Sequence, residues 1–517
     1  MVLKYQNPIL RGMYPDPSIT RVGSTYYMVN STFEYYPGIA LSKSNDLLNW
    51  TKLPGIVSSP NQADLRQSKS NEGIFAVCLR YYEHHFYVIT TNFAEFKTFL
   101  IRGRLSDDGE NVEWETQRTE IDVPGIDPDI YFEDQHAYVQ FTGYVDKQGT
   151  KAIRQVEIDL TTGKIIHEPV ILTYGTGGRD VEGPHILKKS GWYYLLAAEG
   201  GTGEGHMITI FRSKSIWGPY TDDSAINPLF TNRDRASEPL QNIGHGDLFQ
   251  DVNHNWWLVC LGTRPAQVGF TAITNIGRET LLYPVTWEKD WPTVNNRIPT
   301  VNVDLSQFPK HAASLPHAQQ QNRFVDQFTT SDLNPEWLSL RDQVPGLSIY
   351  DGQLHLPGNE HQLSDLSTPA FIGVRQTEHD ERFTVTLSPD SHVNQGSFGI
   401  ATIIDADHFA ALLIRQSSEG GYIVYRCQQV GDLKVNRELG TLPEYPAALS
   451  ILNRSDKKTF VATMSDEKQV SFSTDSLLLS NQAIAALNTG DIQGIFAYKN
   501  AQFVISQAVR EALPKHE

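Results

Sequence analysis

Three acidic residues begin short segments of similar composition: Asp16 in DPS, Asp127 in DPD and Glu182 in EGP. Carboxylates that face each other across a pocket can break a glycosidic bond, because a protonated one assists the leaving oxygen while an ionised one activates the attacking group. A third carboxylate near the acid raises the acid's pKa and keeps it protonated near neutral pH. A gap of roughly 6.5 to 9.5 Å between acid and base leads to inversion at the anomeric carbon, whereas about 5 Å leads to retention.

The three acidic residues share the register of an internal repeat. Five segments align without a gap, namely DPSITRVGSTYY, AVCLRYYEHHFY, DPDIYFEDQHAY, EGPHILKKSGWY and HGDLFQDVNHNW, whose first residues are Asp16, Ala76, Asp127, Glu182 and His245. They recur about every 50 to 60 residues, and each ends in an aromatic run typical of a buried strand. This pattern predicts an all-β fold, a five-bladed β-propeller with four-stranded blades.

The repeat predicts where the acidic side chains meet. In a propeller the first strand of each blade runs along the central channel, so the five first positions converge there. Asp16 and Glu182 then face each other across the channel, and Asp127 lies beside Glu182. Such a ring costs stability through repulsion and desolvation, so its presence indicates a functional requirement. The alternative, that Asp-Pro and Glu-Gly-Pro are only turn formers, is weakened because three of them coincide in the repeat.

A sugar site also needs flat apolar faces and a few polar anchors. Phe33 and Tyr35 in STFEYYPG, and Phe75 just before the second segment, are candidates for the faces, with propeller core as the alternative. Arg278 in NIGRET is a candidate hydroxyl anchor, although a lone arginine is more often salt-bridged. His245 occupies the fifth ring position as a hydrogen-bond partner or as a ligand to a channel cation or water, but one histidine is not a metal signature.

Composition excludes several classes of partner. The formal net charge of −17 disfavours nucleic acid and anionic membrane surfaces, whereas a neutral sugar is not repelled. Three scattered cysteines indicate neither a disulfide framework nor a zinc site: Cys78, Cys260 and Cys427. The segment MVLKYQNPIL lacks the apolar run of a secretory signal, and no stretch reaches the roughly 18 apolar residues of a membrane span. We therefore expect a cytoplasmic protein.

The length of 517 residues predicts at least two domains. The repeat ends near residue 290, and the polar stretch KHAASLPHAQQQNRF reads as a linker. Strand patterns separated by Gly, Asp and Asn turns then continue to the C-terminus, as in an antiparallel β-sandwich. We predict a propeller over 1–309, a linker over 310–324 and a concanavalin-like β-sandwich over 325–517.

An ordered set of motifs gives the chain a family resemblance: NPILRGMYPDPSI, STFEYYPG, GIDPDIYFED, EGPHILKKSGWYYLLAAEGGT, GHGDL and GRET. Together with DQFTTSDLNPEWLSLRD and TPAFIGVRQ further on, they resemble glycoside hydrolase family 43, in particular its two-domain β-xylosidase-like members. The resemblance implies an inverting mechanism with Asp16 as general base, Asp127 as pKa modulator and Glu182 as general acid. It also implies that Arg278 contacts substrate and that His245 is the channel histidine.

The resemblance implies β-xylosidase or α-L-arabinofuranosidase activity, often both in one enzyme. We expect an exo-acting β-xylosidase that releases xylose from the non-reducing end of short xylo-oligosaccharides, and this chemistry requires no cofactor. An α-L-arabinofuranosidase or a bifunctional enzyme would use the same carboxylates on arabino-oligosaccharides, and a carbohydrate-binding protein without catalysis is a further alternative. Fructan-cleaving propellers are disfavoured because their WMNDPNG-like opening and RDP motif are missing. The sequence leaves open a homo-oligomeric state and the role of the second domain.

Two departures from the family pattern bear on the pocket. Relatives usually read GIW or GIY followed by APT, whereas this chain has GIFAVCLRY, which reduces an aromatic wall to Phe75 and puts the preference for xylose or arabinose in doubt. GIDPS has become GIDPD, so Asp129 adds a carboxylate on the same face as Asp127. We expect Asp129 to raise the pKa of its neighbours further unless it turns to solvent.

Overall fold

Five small antiparallel sheets surround a central channel in the computed structural model, which describes residues 2–320, 323–485 and 487–514. The first strand of each sheet contacts the first strand of the next, and the fifth contacts the first, which closes a ring. A two-sheet β-sandwich follows. The structure therefore confirms the predicted all-β propeller and sandwich.

The strands of each blade follow one another from the channel outward. Blade one consists of Ser18–Val22, Thr25–Asn30, Ala40–Ser44 and Thr51–Leu53, and blade two of Ile74–Tyr82, His85–Asn92 and Lys97–Leu105, with Val112–Trp114 and Thr119–Ile121 both on its outer edge. Blade three consists of Ile126–Glu133, His136–Tyr144, Lys151–Ile158 and Ile165–Thr173. Blade four consists of Glu182–Lys189, Trp192–Glu199 and Met207–Ser213, and blade five of Gln241–Gln250, Trp256–Thr263, Glu279–Glu288 and Trp291–Val294. Blade four thus has three strands rather than the predicted four, and single bridges at Thr221 and Phe230 continue its edge. Two short pairs complete this domain, Lys4–Gln6 with Asn302–Asp304 and Ala266–Val268 with Thr271–Ile273.

The propeller core lies between the blades. Side chains alternate along a strand, so neighbouring residues enter the interfaces on opposite sides of their blade. Val88 packs in the cluster shared with blade one, whereas Ile89 packs in the cluster shared with blade three. This two-sided burial explains why the second strand of each blade reads as a continuous aromatic and β-branched run.

The sandwich consists of a nine-stranded and an eight-stranded sheet. The first contains Phe324–Asp326, Ser348–Tyr350, Gln353–Pro357, Glu381–Leu387, His392–Val393, Ala448–Asn453, Lys457–Thr463, Gln469–Asp475 and Ala501–Ala512. The second contains Tyr35–Tyr36, Leu338–Leu340, Ala370–Arg375, Ser397–Asp405, His408–Gln416, Tyr422–Val430, Leu433–Leu442 and Ile492–Tyr498. Its edge strand Tyr35–Tyr36 belongs to the propeller chain and pairs with Leu338–Leu340. The two domains therefore share a sheet.

Helices are few and short. The α-helix Pro309–Ala313 and the 3₁₀ turns Asn295–Arg297, Leu305–Gln307, Ser476–Leu479 and Asn481–Ala483 are the helical elements of the described residues. None of these is long and apolar enough to cross a membrane. The predicted linker 310–324 begins inside this α-helix, and its Ala312 and Leu315 pack in the propeller core. Positions 321 and 322 of that linker lie outside the described residues.

Buried and partly buried polar contacts hold the sandwich against the propeller. The Arg264 guanidinium contacts Glu279 at 2.6 Å and, across the interface, Glu378 at 2.8 Å. Arg375 of the sandwich donates to the Met13 carbonyl at 2.7 Å. Because these groups are removed from water, their pairing resists relative movement of the domains.

Candidate active site

Irregular backbone places the ring side chains at the channel mouth. Asp16, Asp127 and His245 have positive φ values of 51°, 53° and 44°, and the first strands of blades two to five are interrupted by register shifts at this level. Such bulges redirect a side chain, and strained backbone of this kind concentrates at functional sites. The repeat located these positions, but it did not reveal the bulges.

Asp16 is buried and accepts hydrogen bonds from two side chains. Its Oδ1 lies 2.9 Å from an Arg278 nitrogen, and its Oδ2 accepts a hydrogen bond from the Ser31 hydroxyl at 2.7 Å. Burial opposes ionisation, but Arg278 and Ser31 outweigh it and hold the pKa of Asp16 below its usual range. Asp16 is therefore an anion near neutral pH.

The pKa values of Asp127 and Glu182 are raised, in contrast to that of Asp16. Asp127 is buried and accepts a hydrogen bond from the Gly183 N–H at 3.2 Å. Burial, together with repulsion from Glu182 and Asp16, raises the pKa of Asp127 well above its usual range. Burial raises the pKa of Glu182 to about 7. The ring thus combines one ionised carboxylate with a pair that retains a proton near neutral pH.

Two charged residues beside Glu182 were missed by sequence reasoning. The Lys151 ammonium lies 2.7 Å from Asp180 Oδ1 and 3.8 Å from Glu182 Oε2. Lys151 begins the third strand of its blade, which the channel-lining repeat does not cover. No sequence signal identifies it, whereas Asp180 is at least close to the EGPH motif.

His245 occupies the fifth ring position as predicted. Its Nδ1 lies 3.8 Å from Asp16 Oδ1, and burial lowers the pKa of the imidazole to about 4, so the ring is neutral at pH 7. Gly183, at φ 57°, leaves room for this imidazole, because a Cβ at that position would lie 2.9 Å from the ring. The Gly of EGPH is therefore explained by close packing between the first strands of blades four and five.

Asp129 does not raise the pKa values of the ring carboxyls, contrary to the expectation from the sequence. It lies below the acidic ring, where its Oδ1 pairs with Arg80 at 2.8 Å and its Oδ2 accepts from the Ile186 N–H at 2.7 Å. Burial is outweighed by Arg80, so the pKa of Asp129 is lowered. Its charge is neutralised locally instead of raising the pKa of the carboxyls above.

The same layer contains a group of potential metal ligands. Within the described residues, ligand atoms of Cys78, Asp129 and His185 lie within 4.8 Å of one another. Arg80 contacts both Asp129 and His185 Nδ1, the latter at 3.0 Å. A guanidinium thus supplies the positive charge in this position, and His245 is not a member of the group.

The predicted aromatic faces fall into different environments. Phe33 is only 2% exposed and packs edge-to-face on Phe75, with the Arg278 guanidinium 5.5 Å from its ring centre. Phe75 is partly exposed and stacks on Phe93 at 4.4 Å. Tyr35 is fully buried with Leu338 and Leu340 at the domain interface, so its assignment to the sugar site is wrong. Strand pairing with the sandwich turned it away from the channel.

Arg278 connects the acidic ring with the second domain. Besides Asp16, it donates to the Thr202 hydroxyl at 3.1 Å and to the Asn488 carbonyl at 3.4 Å. The Asn488 N–H in turn donates to Asn71 of the propeller at 3.0 Å. The sandwich thus contributes main chain to the edge of the site, which no pattern in its own sequence indicated.

Family models match both domains. The model described as "Glycosyl hydrolases family 43" matches residues 5–292, and "Beta xylosidase C-terminal Concanavalin A-like domain" matches residues 325–508. These two matches follow the two folds seen in the structure.

Curated relatives cover most of the chain. The "Non-reducing end alpha-L-arabinofuranosidase BoGH43B" of Bacteroides ovatus is 32% identical over 96% of this chain and 92% of its own length. The "Xylosidase/arabinosidase 43B" of Humicola insolens is 34% identical over 80% and 77% of the two chains. The "Beta-xylosidase" of Bacillus subtilis is 29% identical over 82% and 81%. The names of these relatives therefore differ in the pentose that they specify.

Solved structures agree over both domains. "Bacteroides ovatus Xyloglucan PUL GH43B" superposes with a TM-score of 0.86 at 29% identity, covering 99% of this chain and 100% of the other. A xylan β-1,4-xylosidase from Bacillus halodurans gives 0.86 at 25% identity, covering 98% and 99%. The ring of carboxylates, the propeller around it and these likenesses together show that the chain belongs to glycoside hydrolase family 43.

Proposed function

We propose that the protein is an exo-acting, inverting β-xylosidase that releases xylose from the non-reducing end of short xylo-oligosaccharides. The observation that carries this proposal is the contrast between the two carboxyls of the ring. Arg278 and Ser31 hold Asp16 ionised, whereas Glu182 has a pKa of about 7, so a large fraction of it is protonated in neutral solution. A base and an acid are thus available in the same channel at one pH.

The chemistry follows from these charge states. Asp16 takes a proton from a water molecule, whose oxygen attacks the anomeric carbon as the glycosidic bond breaks. Glu182 gives its proton to the leaving oxygen, so the products are one free sugar and a shortened chain. Asp127 accepts from the Gly183 N–H and thereby holds the strand that carries Glu182. Proton exchange with solvent then restores both carboxyls.

Other groups suit the recognition of a single sugar. Neutral His245 can donate or accept a hydrogen bond without adding charge beside Asp16. Arg278 orients Asp16, and the partly exposed Phe75 supplies an apolar face. Asn488 of the sandwich accepts a hydrogen bond from Arg278 and so narrows the site on that side. A site narrowed on one side fits the end of a sugar chain better than its middle, which supports exo action.

An α-L-arabinofuranosidase, or an enzyme with both activities, is the second candidate. The Bacteroides ovatus relative named as an α-L-arabinofuranosidase matches 96% of this chain. The reduced aromatic wall at Phe75 also bears on which pentose is accepted. A carbohydrate-binding protein without catalysis is disfavoured, because all three carboxylates are retained with contrasting pKa values.

The test compares hydrolysis of 4-nitrophenyl β-D-xylopyranoside and 4-nitrophenyl α-L-arabinofuranoside by the wild type. Asp16→Ala serves as the inactive control. Faster turnover of the xyloside supports the proposal, a preference for the arabinoside transfers it to the second candidate, and no turnover of either refutes both. Proton NMR of the first-formed sugar distinguishes inversion from retention, and xylotriose labelled at its reducing end distinguishes exo from endo cleavage.

A further inference from the structure

We propose that Lys151 and Asp180 act together as positioning residues for Glu182, and that their ion pair determines the upper pH limit of turnover. This inference rests on the proposed role of Glu182 as the acid. The ammonium of Lys151 lies between two carboxylates, 2.7 Å from Asp180 Oδ1 and 3.8 Å from Glu182 Oε2. Asp180 therefore draws toward itself a cation that would otherwise pair with the acid.

The fold brings the pair to Glu182 from two directions. Lys151 is the first residue of the third strand of blade three, opposite Tyr144, whose ring centre lies 5.9 Å from the ammonium. Asp180 reaches the site from the segment before blade four, with a positive φ of 55°. The pair thus links blade three to the residue that carries the acid function.

A purely structural role does not account for Lys151. Asp180 already has a second cationic partner, because the Arg179 guanidinium lies 2.8 Å from its Oδ2. The side chains of Asp180 and Glu182 are 30% and 19% exposed, so the removal of Lys151 leaves no fully buried charge. Its removal therefore changes the electrostatic potential at the Glu182 carboxyl, 3.8 Å away, while Asp180 keeps a cationic partner.

The charges around Glu182 oppose one another. The charged groups that face it are Lys151, Arg278, Asp180, Asp16 and Asp127. After burial, Lys151 is the largest influence and lowers the pKa of Glu182, whereas Asp180 raises it. Because the acid must be protonated to act, activity is lost as the pH rises through this pKa. Lys151 and Asp180 therefore move the alkaline limit in opposite directions.

The test measures kcat/KM against pH for Lys151→Gln and Asp180→Asn in the full-length protein. An opposite charge at this distance shifts a carboxyl pKa by about 1–3 units, and partial exposure places the expected shift near the lower end. We expect the alkaline limb to move up by about one unit in Lys151→Gln and down by about one unit in Asp180→Asn. The double variant returns close to the wild type. Shifts in the same direction, or none in either variant, would overturn the inference.

Two controls make the result specific. Lys188→Gln removes a lysine from the same strand as Glu182, where it pairs with Glu133, and is expected to leave the limb unchanged. A carbon-13 NMR titration of the Glu182 carboxyl, assigned with Glu182→Gln, follows the same shifts without turnover. If the wild type hydrolyses no pentoside, the proposed function fails, while the titration still decides whether the ion pair controls Glu182.

Discussion

Replacing Ser31 by alanine removes one defined contact from Asp16. The Ser31 hydroxyl donates to Asp16 Oδ2 at 2.7 Å, and both residues are buried. A hydrogen bond to a charged group contributes about 1.5–3 kcal/mol, and one pKa unit corresponds to about 1.4 kcal/mol. The pKa of Asp16 should therefore rise by about one to two units in Ser31→Ala. Arg278 remains in place, so Asp16 is still ionised at pH 7.

The assay is the pH dependence of kcat/KM on a 4-nitrophenyl pentoside. Asp16 must be ionised to act as base, so the acidic limb should move up by the same one to two units, about 1.5–3 kcal/mol, while the rate at pH 7 changes little. The folded-state pKa of Asp16 is depressed, so its contribution to stability is present above the unfolded pKa and lost as the pH falls through the folded pKa. The midpoint temperature of thermal unfolding should therefore be lower for Ser31→Ala than for the wild type at pH 7. In strong acid the two midpoint temperatures should converge.

A matched control distinguishes this effect from a disturbance of the pocket wall. The Ser31 hydroxyl also lies 3.1 Å from the Phe75 carbonyl, to which the Thr90 hydroxyl donates at 3.0 Å. Thr90→Val removes a hydroxyl from that carbonyl without touching Asp16, and we expect no movement of the acidic limb. An unchanged limb in Ser31→Ala, or an equal shift in Thr90→Val, would refute the reasoning.

Three further predictions test the acid, the aromatic wall and the domain interface. Glu182→Ala should lose far less kcat/KM on 4-nitrophenyl substrates than on xylobiose, because a good leaving group hardly needs protonation; equal losses would contradict its role as acid. Phe75→Ala should lower kcat/KM by about 10- to 100-fold, because it loses about 1.5–3 kcal/mol of apolar contact with the sugar. Its control is Phe96→Ala, which should have little effect in the same assay, because Phe96 is 56% exposed and lies at the far end of the row Phe75, Phe93 and Phe96. Arg264→Met should lower the free energy of unfolding in urea by about 3–5 kcal/mol, because it leaves buried Glu279 unpaired. The exposed pair of Arg104 with Glu113 provides its control, since Arg104→Met should cost less than about 1 kcal/mol.

The repeat was sufficient to predict the propeller because its signals are local. Alternating burial, aromatic runs and turn residues recur in each blade, so five copies aligned without tertiary information. Blade four departs from the pattern because its outer edge is formed by single bridges at Thr221 and Phe230 instead of a fourth strand. Tyr35 was assigned wrongly because its partner, Leu340, is remote in sequence and belongs to the other domain.

The sequence by itself determined the number of blades, their order and the residues that occupy equivalent channel positions, since these follow from the period of the chain. The tertiary structure decided which charges meet: Arg278 reaches Asp16 across 262 residues, Lys151 reaches Glu182 from another blade, and Arg80 neutralises Asp129. These contacts decide which carboxyl is ionised, because electrostatic energy depends on separation in space and on burial rather than on position along the chain.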